Sequence, residues 1–146
     1  MKMKSFSKTL RANDVGITGS HQSGLHIPKI ELELLTILPS LDLSVKNPDA
    51  WIECLDVNRQ IHQFIFVYYN NKFHDPTGTR NEFRITHMTG YLKKEAACEG
   101  DTFQISKNED SPYYEIRVLR QEKNRDIQKD EDVVRIKIKS DWRRVH

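Results

Sequence analysis

Short segments in which apolar and polar residues alternate recur along this chain, and they are the feature that most limits its fold. A two-residue alternation is typical of a strand with one buried face. The segments that could form helices are too short for the crossovers of a parallel sheet. We therefore predict a mainly β fold, an antiparallel barrel or sandwich. The predicted strands cover residues 6–10, 51–55, 61–69, 82–86, 114–119 and 134–138, with a further strand beginning at Phe103.

Two short segments carry helical patterns. Residues 91–97 predict one short helix. In residues 30–38 the apolar side chains recur at helical spacing, at Ile30, Leu34, Leu35 and Leu38. Pro28 just ahead and Pro39 just behind are typical of helix ends, so we predict a short buried helix here. The alternation of Ile30, Leu32 and Leu34 leaves a strand possible.

The chain has 146 residues, a length expected for a single domain spanning residues 1–146. Its 23 Lys and Arg against 21 Asp and Glu give a net charge of only +2, so a nucleic-acid role would require clustered charge. Residues 121–132 are almost wholly polar and predict an exposed loop or linker, followed by a basic last strand and tail over 133–146. Two cysteines without framework spacing predict a reduced, cytoplasmic protein. No signal-peptide core or membrane-length apolar run is seen, so no membrane partner is expected.

A polar segment at residues 70–86 follows the strongly apolar run at 64–69. Within it Arg80, Glu82 and Arg84 are spaced two apart, which puts three charged side chains on one face of a strand. Arginine forks fit guanine edges or phosphates, and a carboxylate between them can hold the forks or accept from a cytosine amine. The pattern also fits an ordinary solvated strand face with two salt bridges. A second polar loop, residues 12–24, is long for a small domain, and such loops are usually functional or mobile.

Enzyme signatures are weak in this chain. Asp49 and Glu53 resemble part of the acidic core of metal-dependent nucleases, but Leu55 stands where the required lysine belongs. The six histidines are scattered without zinc spacing, and no phosphate-loop, dinucleotide or nucleophile-elbow motif is present. We interpret Cys54 as a buried thiol and not as a nucleophile. The sequence therefore predicts no catalytic residue, no metal ligand and no cofactor in this chain.

Two stretches of the chain resemble a known family. Residues 6–16 read FSKTLRANDVG and residues 24–29 read GLHIPK, which resembles the opening of the plant B-three DNA-binding domain. The resemblance to the amino-terminal, effector-DNA-binding domains of EcoRII-type restriction endonucleases is closer still. It includes A-N-D, T-G, H-Q and G-L in the first loop, Y-Y-N at the end of the apolar run, then T-R-N-E and R-I-T at residues 79–86. G-D-T-F at residues 100–103 is similar to a turn of the same fold, and the resemblance spans residues 6–120.

The resemblance implies a seven-stranded open pseudobarrel with two short helices that grips double-stranded DNA by two arms in the major groove. The implied N-arm contacts are Lys8, Arg11, Asn13, Asp14, Thr18, Ser20, His21, Gln22, Ser23 and Lys29. The implied C-arm contacts are Asn70, Asn71, Lys72, Thr79, Arg80, Asn81, Glu82 and Arg84. Of these, Arg80, Glu82, Arg84, His21, Gln22 and Ser23 would face bases, and Lys8, Arg11, Lys29 and Lys72 would hold phosphates.

The implied role is sequence-specific binding by the effector or targeting domain of a type II restriction endonuclease, at a short GC-containing site similar to CCWGG. Phe83 and the Asp75-Pro76 pair depart from the family pattern in the C-arm. A nuclease domain would be a separate, tethered unit, and Mg²⁺ would belong to that unit. Two alternatives remain: a protein–protein interaction barrel that uses the same loops, and a complete small nuclease. Residues 133–146, with their basic side chains, are expected to add only non-specific affinity.

Overall fold

A computed structural model describes residues 3–16, 24–121 and 140–145 of the chain. Within them lie eight strands, three short α-helices and one 3-10 helix. The strands are β1 (Met3–Thr9), β2 (Leu25–Ile27), β3 (Asp49–Leu55), β4 (Ile61–Tyr69), β5 (Glu82–Thr86), β6 (Thr102–Asn108), β7 (Tyr114–Leu119) and β8 (Trp142–Arg144). The helices are α1 (Ala12–Val15), α2 (Leu32–Ile37), α3 (Thr89–Lys94) and the 3-10 helix Asn71–Phe73.

The eight strands form one sheet in the order β2-β5-β4-β3-β7-β6-β1-β8. Every strand pair in it is antiparallel except β3 with β7, which align in parallel. The sheet curls until its two edges approach each other, and the indole Nε1 of Trp142 on β8 donates to the carbonyl of His26 on β2 at 2.8 Å. This bond connects the two edge strands of the sheet, β2 and β8, which are not paired with each other in the sheet order. The predicted mainly β pseudobarrel is therefore confirmed, with one strand more than expected among the described residues.

The interior of the barrel holds the apolar face of each strand. Phe6, Phe64 and Phe103 are almost fully buried there, and burial of one such side chain stabilises the fold by about 1.5–3 kcal/mol. Trp142 is 4% exposed and packs edge-on against Phe103, with ring centroids 6.4 Å apart. Trp142 therefore belongs to the core, whereas Arg143 and Arg144 beside it are exposed. The sequence predicted a basic last strand and tail over residues 133–146, and no local pattern there reveals the long-range packing of Trp142. The predicted strand 134–138 lies outside the described residues.

Several predicted boundaries differ from those of the structure. The helix at 30–38 exists, but it begins at Leu32, so Ile30 precedes it and is 60% exposed, whereas Leu34 is fully buried. The helix predicted at residues 91–97 is α3, and it ends at Lys94 because Ala96 adopts the left-handed region with φ 52°. The predicted loop 12–24 contains α1, which forms because the Asp14 carboxylate accepts from the Arg11 backbone N–H at 2.9 Å.

Two buried polar side chains of the core differ in how completely they are hydrogen-bonded. The Asp56 carboxylate, at the turn between β3 and β4, accepts from the backbone of Asn58 and Gln60, from His62 Nε2 at 2.8 Å and from Lys94 Nζ at 3.2 Å. Burial raises the pKa of this carboxyl, but the hydrogen bonds more than offset it, and the pKa lies below its ordinary value. The Tyr91 hydroxyl, in contrast, is buried without a hydrogen-bond partner among the described residues.

Candidate nucleic-acid interface

The segment between β4 and β5, predicted as the C-arm, is a folded loop held by its own backbone. The Asn71 side-chain carbonyl accepts from the Arg80 N–H at 2.8 Å, and the Lys72 N–H donates to the Arg80 carbonyl at 3.0 Å. Gly78 crosses so close to Asn71 that a Cβ at this position would lie 2.1 Å from the Asn71 carbonyl oxygen. These contacts fix where the loop re-enters the sheet and therefore where Arg80 stands.

Asn70, a predicted contact residue, is buried and stabilises this loop by hydrogen bonds. It is 1% exposed, and its side-chain oxygen accepts from the Asn47 N–H at 2.7 Å, while its own backbone N–H donates to the Asn47 side-chain oxygen at 3.0 Å. Its amide nitrogen donates to the Val45 carbonyl at 2.9 Å. An amide used in this way offers nothing to a ligand, so the structure assigns Asn70 to the foundation of the C-arm. The residue type of Asn70 did not reveal that its side chain is buried.

The charged strand face, Arg80, Glu82 and Arg84, is brought together as the spacing predicted. The Glu82 carboxylate oxygen Oε2 lies 3.3 Å from Arg80 Nη2 and also accepts from Arg84 Nε. Burial raises the pKa of Glu82, but hydrogen bonds and charges from Arg84 and then Arg80 outweigh it and leave the pKa below its usual range. The carboxylate is therefore ionised at neutral pH and holds the two guanidiniums in place.

Tyr69 supports this face, although the sequence did not single it out as a contact. Its ring lies under Arg80, whose Cζ is 3.8 Å from the ring centroid. Tyr69 and Glu82 are direct cross-strand partners of β4 and β5, so their side chains share one face of the sheet. An arginine stacked on a tyrosine loses few rotamers on binding, which favours a fixed orientation of the fork. Register between distant strands, not local spacing, creates this support.

The end of the predicted N-arm meets the same strand. Arg84 Nη1 donates to the Gly24 carbonyl at 3.1 Å, so both loops are fixed at β5. Gly24 has φ 87°, and a Cβ there would lie 2.0 Å from the Ile85 carbonyl oxygen, so this close approach requires glycine. His26 pairs directly with Arg84 and is exposed beside it. Burial, followed by the charge of Arg84, lowers the pKa of His26.

Two of the predicted phosphate contacts are engaged inside the protein. The Lys8 ammonium is only 5% exposed and pairs with Asp14 at 2.6 Å and with Asp141 at 3.7 Å. The Arg11 guanidinium is bidentate on Asp141, with Nε to Oδ2 at 2.5 Å and Nη2 to Oδ1 at 2.8 Å, but its side chain remains 70% exposed. Burial and pairing leave Lys8 unsuited to hold a phosphate, whereas Arg11 keeps an accessible face.

The remaining predicted contacts are either at least partly exposed or lie outside the described residues. Lys29 is exposed and donates to the Asn81 side-chain carbonyl, which also accepts from the Tyr68 hydroxyl. This bond links the entry of α2 to the C-arm. Lys72, Thr79 and Asn13 are exposed. The predicted contacts Thr18, Ser20, His21, Gln22 and Ser23 lie outside the described residues.

The described residues do not form a metal cluster or an activated thiolate. Among the described residues no three His, Cys, Asp or Glu side chains are placed to hold a metal ion. Cys54 is fully buried, and burial raises the pKa of its thiol to about 12, so it remains protonated as predicted for a core residue. None of the described helices is long and apolar enough to cross a membrane.

Comparisons with known proteins give one family and one fold. A family model described as the N-terminal region of restriction endonuclease EcoRII matches residues 1–140. The type II restriction enzyme EcoRII of Escherichia coli is 36% identical over an alignment of 89 residues, and the match covers 56% of this chain and 20% of that enzyme. The solved structure of the Arabidopsis FUS3–DNA complex aligns with a TM-score of 0.59 at 19% identity, covering 80% of this chain and 96% of that one. The chain thus matches only about a fifth of the length of its curated relative, and the solved structure shares the fold.

Proposed function

Because this chain belongs to the family of EcoRII restriction endonuclease N-terminal domains, we propose that it binds double-stranded DNA sequence-specifically as the effector domain of a type II restriction enzyme. Two supports lie outside the chain. Its relative in Escherichia coli is a type II restriction enzyme, and the plant domain that shares its fold was solved as a DNA complex. A pseudobarrel of this kind presents loops from a rigid sheet, which suits recognition.

The observation that carries the proposal is the charged strand face of Arg80, Glu82 and Arg84. Two guanidinium forks are held by one carboxylate, one of them on a tyrosine ring and the other on the backbone of the opposite loop. Forks positioned before binding can read guanine edges in the major groove, each worth about 1–3 kcal/mol of discrimination. An ordinary solvated face would not require this support from three separate elements.

We assign the phosphate contacts to cationic side chains that are exposed to solvent. Lys29, Lys72 and Arg11 are exposed cationic side chains, so they would set position and affinity without reading sequence. Lys8 is not proposed as a phosphate contact, because its ammonium is buried and paired with the Asp14 carboxylate. The N-arm side chains His21, Gln22 and Ser23 are proposed to read bases from the other side. A site similar to CCWGG suits two forks that prefer guanine.

The chain is proposed to tether a catalytic domain and not to cut DNA. Hydrolysis of a phosphodiester needs stabilised charge and an activated water, usually supplied by bound metal. A separate nuclease domain with Mg²⁺ would supply both. In a reducing, cytoplasmic setting the free thiols of Cys54 and Cys98 would be stable.

Selection of bound duplexes from a random pool, followed by binding of Arg80→Ala, tests the proposal. The variant is expected to lose about 1–3 kcal/mol for the selected duplex, with relaxed preference at one base pair and little change on random DNA. Arg117→Ala, which removes the same charge from β7 away from both arms, serves as the matched control. Equal losses on selected and random duplexes would make Arg80 a phosphate contact.

Two further outcomes separate the rival functions. DNA binding should weaken steeply as salt is raised from 50 to 200 mM, since phosphate contacts release counterions. Absence of any duplex shift, at low salt, would favour the protein–protein interaction barrel. Incubation with Mg²⁺ or Mn²⁺ should leave the duplex intact, and reproducible cleavage lost on Asp49→Ala would establish the small nuclease instead.

A further inference from the structure

A cavity of about 430 Å³ opens on the barrel at the end opposite the two arms. It is bounded by the beginning of β1 and β7 and by the turn between β3 and β4, with Met3, Leu55 and Val57 among its walls. β1 and β4 run from this end toward the N-arm and the C-arm. At about 3.4 Å per residue the nine residues of β4 separate the cavity from the C-arm by roughly 27 Å. A ligand here would not touch DNA held by the arms.

The floor of the cavity consists of buried polar side chains on the outer face of β1 and β6. Ser5 and Ser106 face each other in register, and their hydroxyls are 2.7 Å apart and nearly inaccessible. One hydroxyl hydrogen is used in this bond, which leaves the other free to point elsewhere. Small polar residues at these positions create the concavity, because larger side chains would fill it.

Gln104 brings a side-chain amide to the floor of the cavity. It is only 8% exposed and lines the cavity, yet its amide makes no hydrogen bond within the ranges 3–16, 24–121 and 140–145. The amide atoms of Gln104 are not among the buried polar atoms that lack a partner, so they stay accessible from the cavity. Its donor and its acceptor both border the empty volume, so a polar ligand in the cavity would satisfy them.

The rim carries charged side chains that are unpaired within the described part of the chain. Arg59 and Arg117 line the cavity, and neither guanidinium has an ion pair or hydrogen bond to the described part of the chain. Glu115, also on the rim, has none within that part either. Asp56 also lines the cavity, but its carboxylate is paired with the Lys94 ammonium at 3.2 Å, which offsets its charge beside the arginines. The cavity therefore joins two cationic forks to a hydrogen-bonding floor.

We propose that this cavity binds a small molecule that bears a phosphate or carboxylate together with hydroxyl or amino groups. Arginine forks match the geometry of both anions. The hydroxyl and amino groups would exchange hydrogen bonds with the Gln104 amide, the free serine hydroxyl and the Glu115 carboxylate. The volume falls within the range of small-molecule sites in proteins. The site is separate from the DNA-binding surface and does not depend on that function.

Titration of the full chain followed by amide NMR tests the proposal, with ribose 5-phosphate and L-glutamate as probes for the two anion classes and chloride at matched ionic strength as the blank. At least one probe should give saturable shifts at Gln104, Ser106 and Arg117, and saturating DNA duplex should not displace it. Arg59→Gly should weaken that binding tenfold or more. Arg59 has φ 67°, which glycine adopts readily, so this variant keeps the fold.

Two further variants complete the design. Gln104→Leu, which keeps the volume but removes the amide, should also weaken binding tenfold or more. Lys93→Ala removes one positive charge from α3, outside the cavity, and should leave the affinity unchanged. The proposal is overturned if neither probe saturates, if Arg59→Gly and Gln104→Leu bind as tightly as the parent, or if the shifts cluster in the arms and disappear on adding duplex.

Discussion

Replacement of Glu82 by glutamine should lower the sequence specificity of DNA binding while raising non-specific affinity. The Glu82 carboxylate accepts from both Arg80 and Arg84, at 3.3 Å in the first case. A glutamine amide keeps one oxygen acceptor and turns an NH₂ donor toward the second guanidinium. One fork therefore loses its orienting partner, while the local charge of the three side chains rises from +1 to +2.

The size of both effects follows from these contacts. A well-oriented fork is worth about 1–3 kcal/mol of discrimination, so the ratio of selected to random affinity should fall by about 5- to 150-fold. Random-duplex binding should strengthen, and the slope of log K against log salt should steepen by up to about 0.9, the contribution of one added phosphate contact. The protein's own stability should change by less than about 1 kcal/mol, because the ion pairs of Glu82 are partly exposed.

Fluorescence anisotropy with selected and scrambled duplexes over a series of KCl concentrations measures all three quantities. Glu53→Gln provides the matched control, since it removes the same charge from an exposed position on β3. An unchanged ratio of the two affinities in Glu82→Gln would refute the reasoning, because the carboxylate would then neutralise the arginines without orienting them. A fall in the ratio for Glu53→Gln as well would reduce the effect to net charge.

Three predictions concern stability. Trp142→Ala should lower the free energy of unfolding in urea by about 3–5 kcal/mol, since it removes a buried ring and the hydrogen bond that joins the two sheet edges. A loss below about 1 kcal/mol would contradict the placement of this ring in the core. Tyr91→Phe should raise the free energy of unfolding by about 1 kcal/mol, because it deletes a buried hydroxyl without a partner, and a clear destabilisation would contradict this. The pKa of Asp56 is depressed on folding, so its stabilisation is present above pH ~4 and is lost as the pH falls toward the folded value. Unfolding curves between pH 3 and 7 should show a loss at the acid end that Asp56→Asn reduces, and an equally steep loss in that variant would assign it to other groups.

The sequence by itself determined the fold class and the family. Alternation with a period of two placed β4, β5 and β7 correctly, since that period follows from the backbone of any strand with one buried face. The same period placed Arg80, Glu82 and Arg84 on one face, as the structure shows. Whether these side chains and the N-arm read DNA stays a prediction.

Tertiary structure decided which polar residues remain available to a ligand. Lys8 and Asp141 lie far apart in sequence, and Asn70 meets Asn47 only because two loops pack together. Such partners are chosen by sheet curvature and long-range register, which a local pattern does not contain. The same holds for Trp142, which packs into the core between the two sheet edges, and for Gln104, whose amide lines the cavity without a partner among the described residues. Local spacing fixes the face on which a side chain stands, and only the packed chain fixes what that face meets.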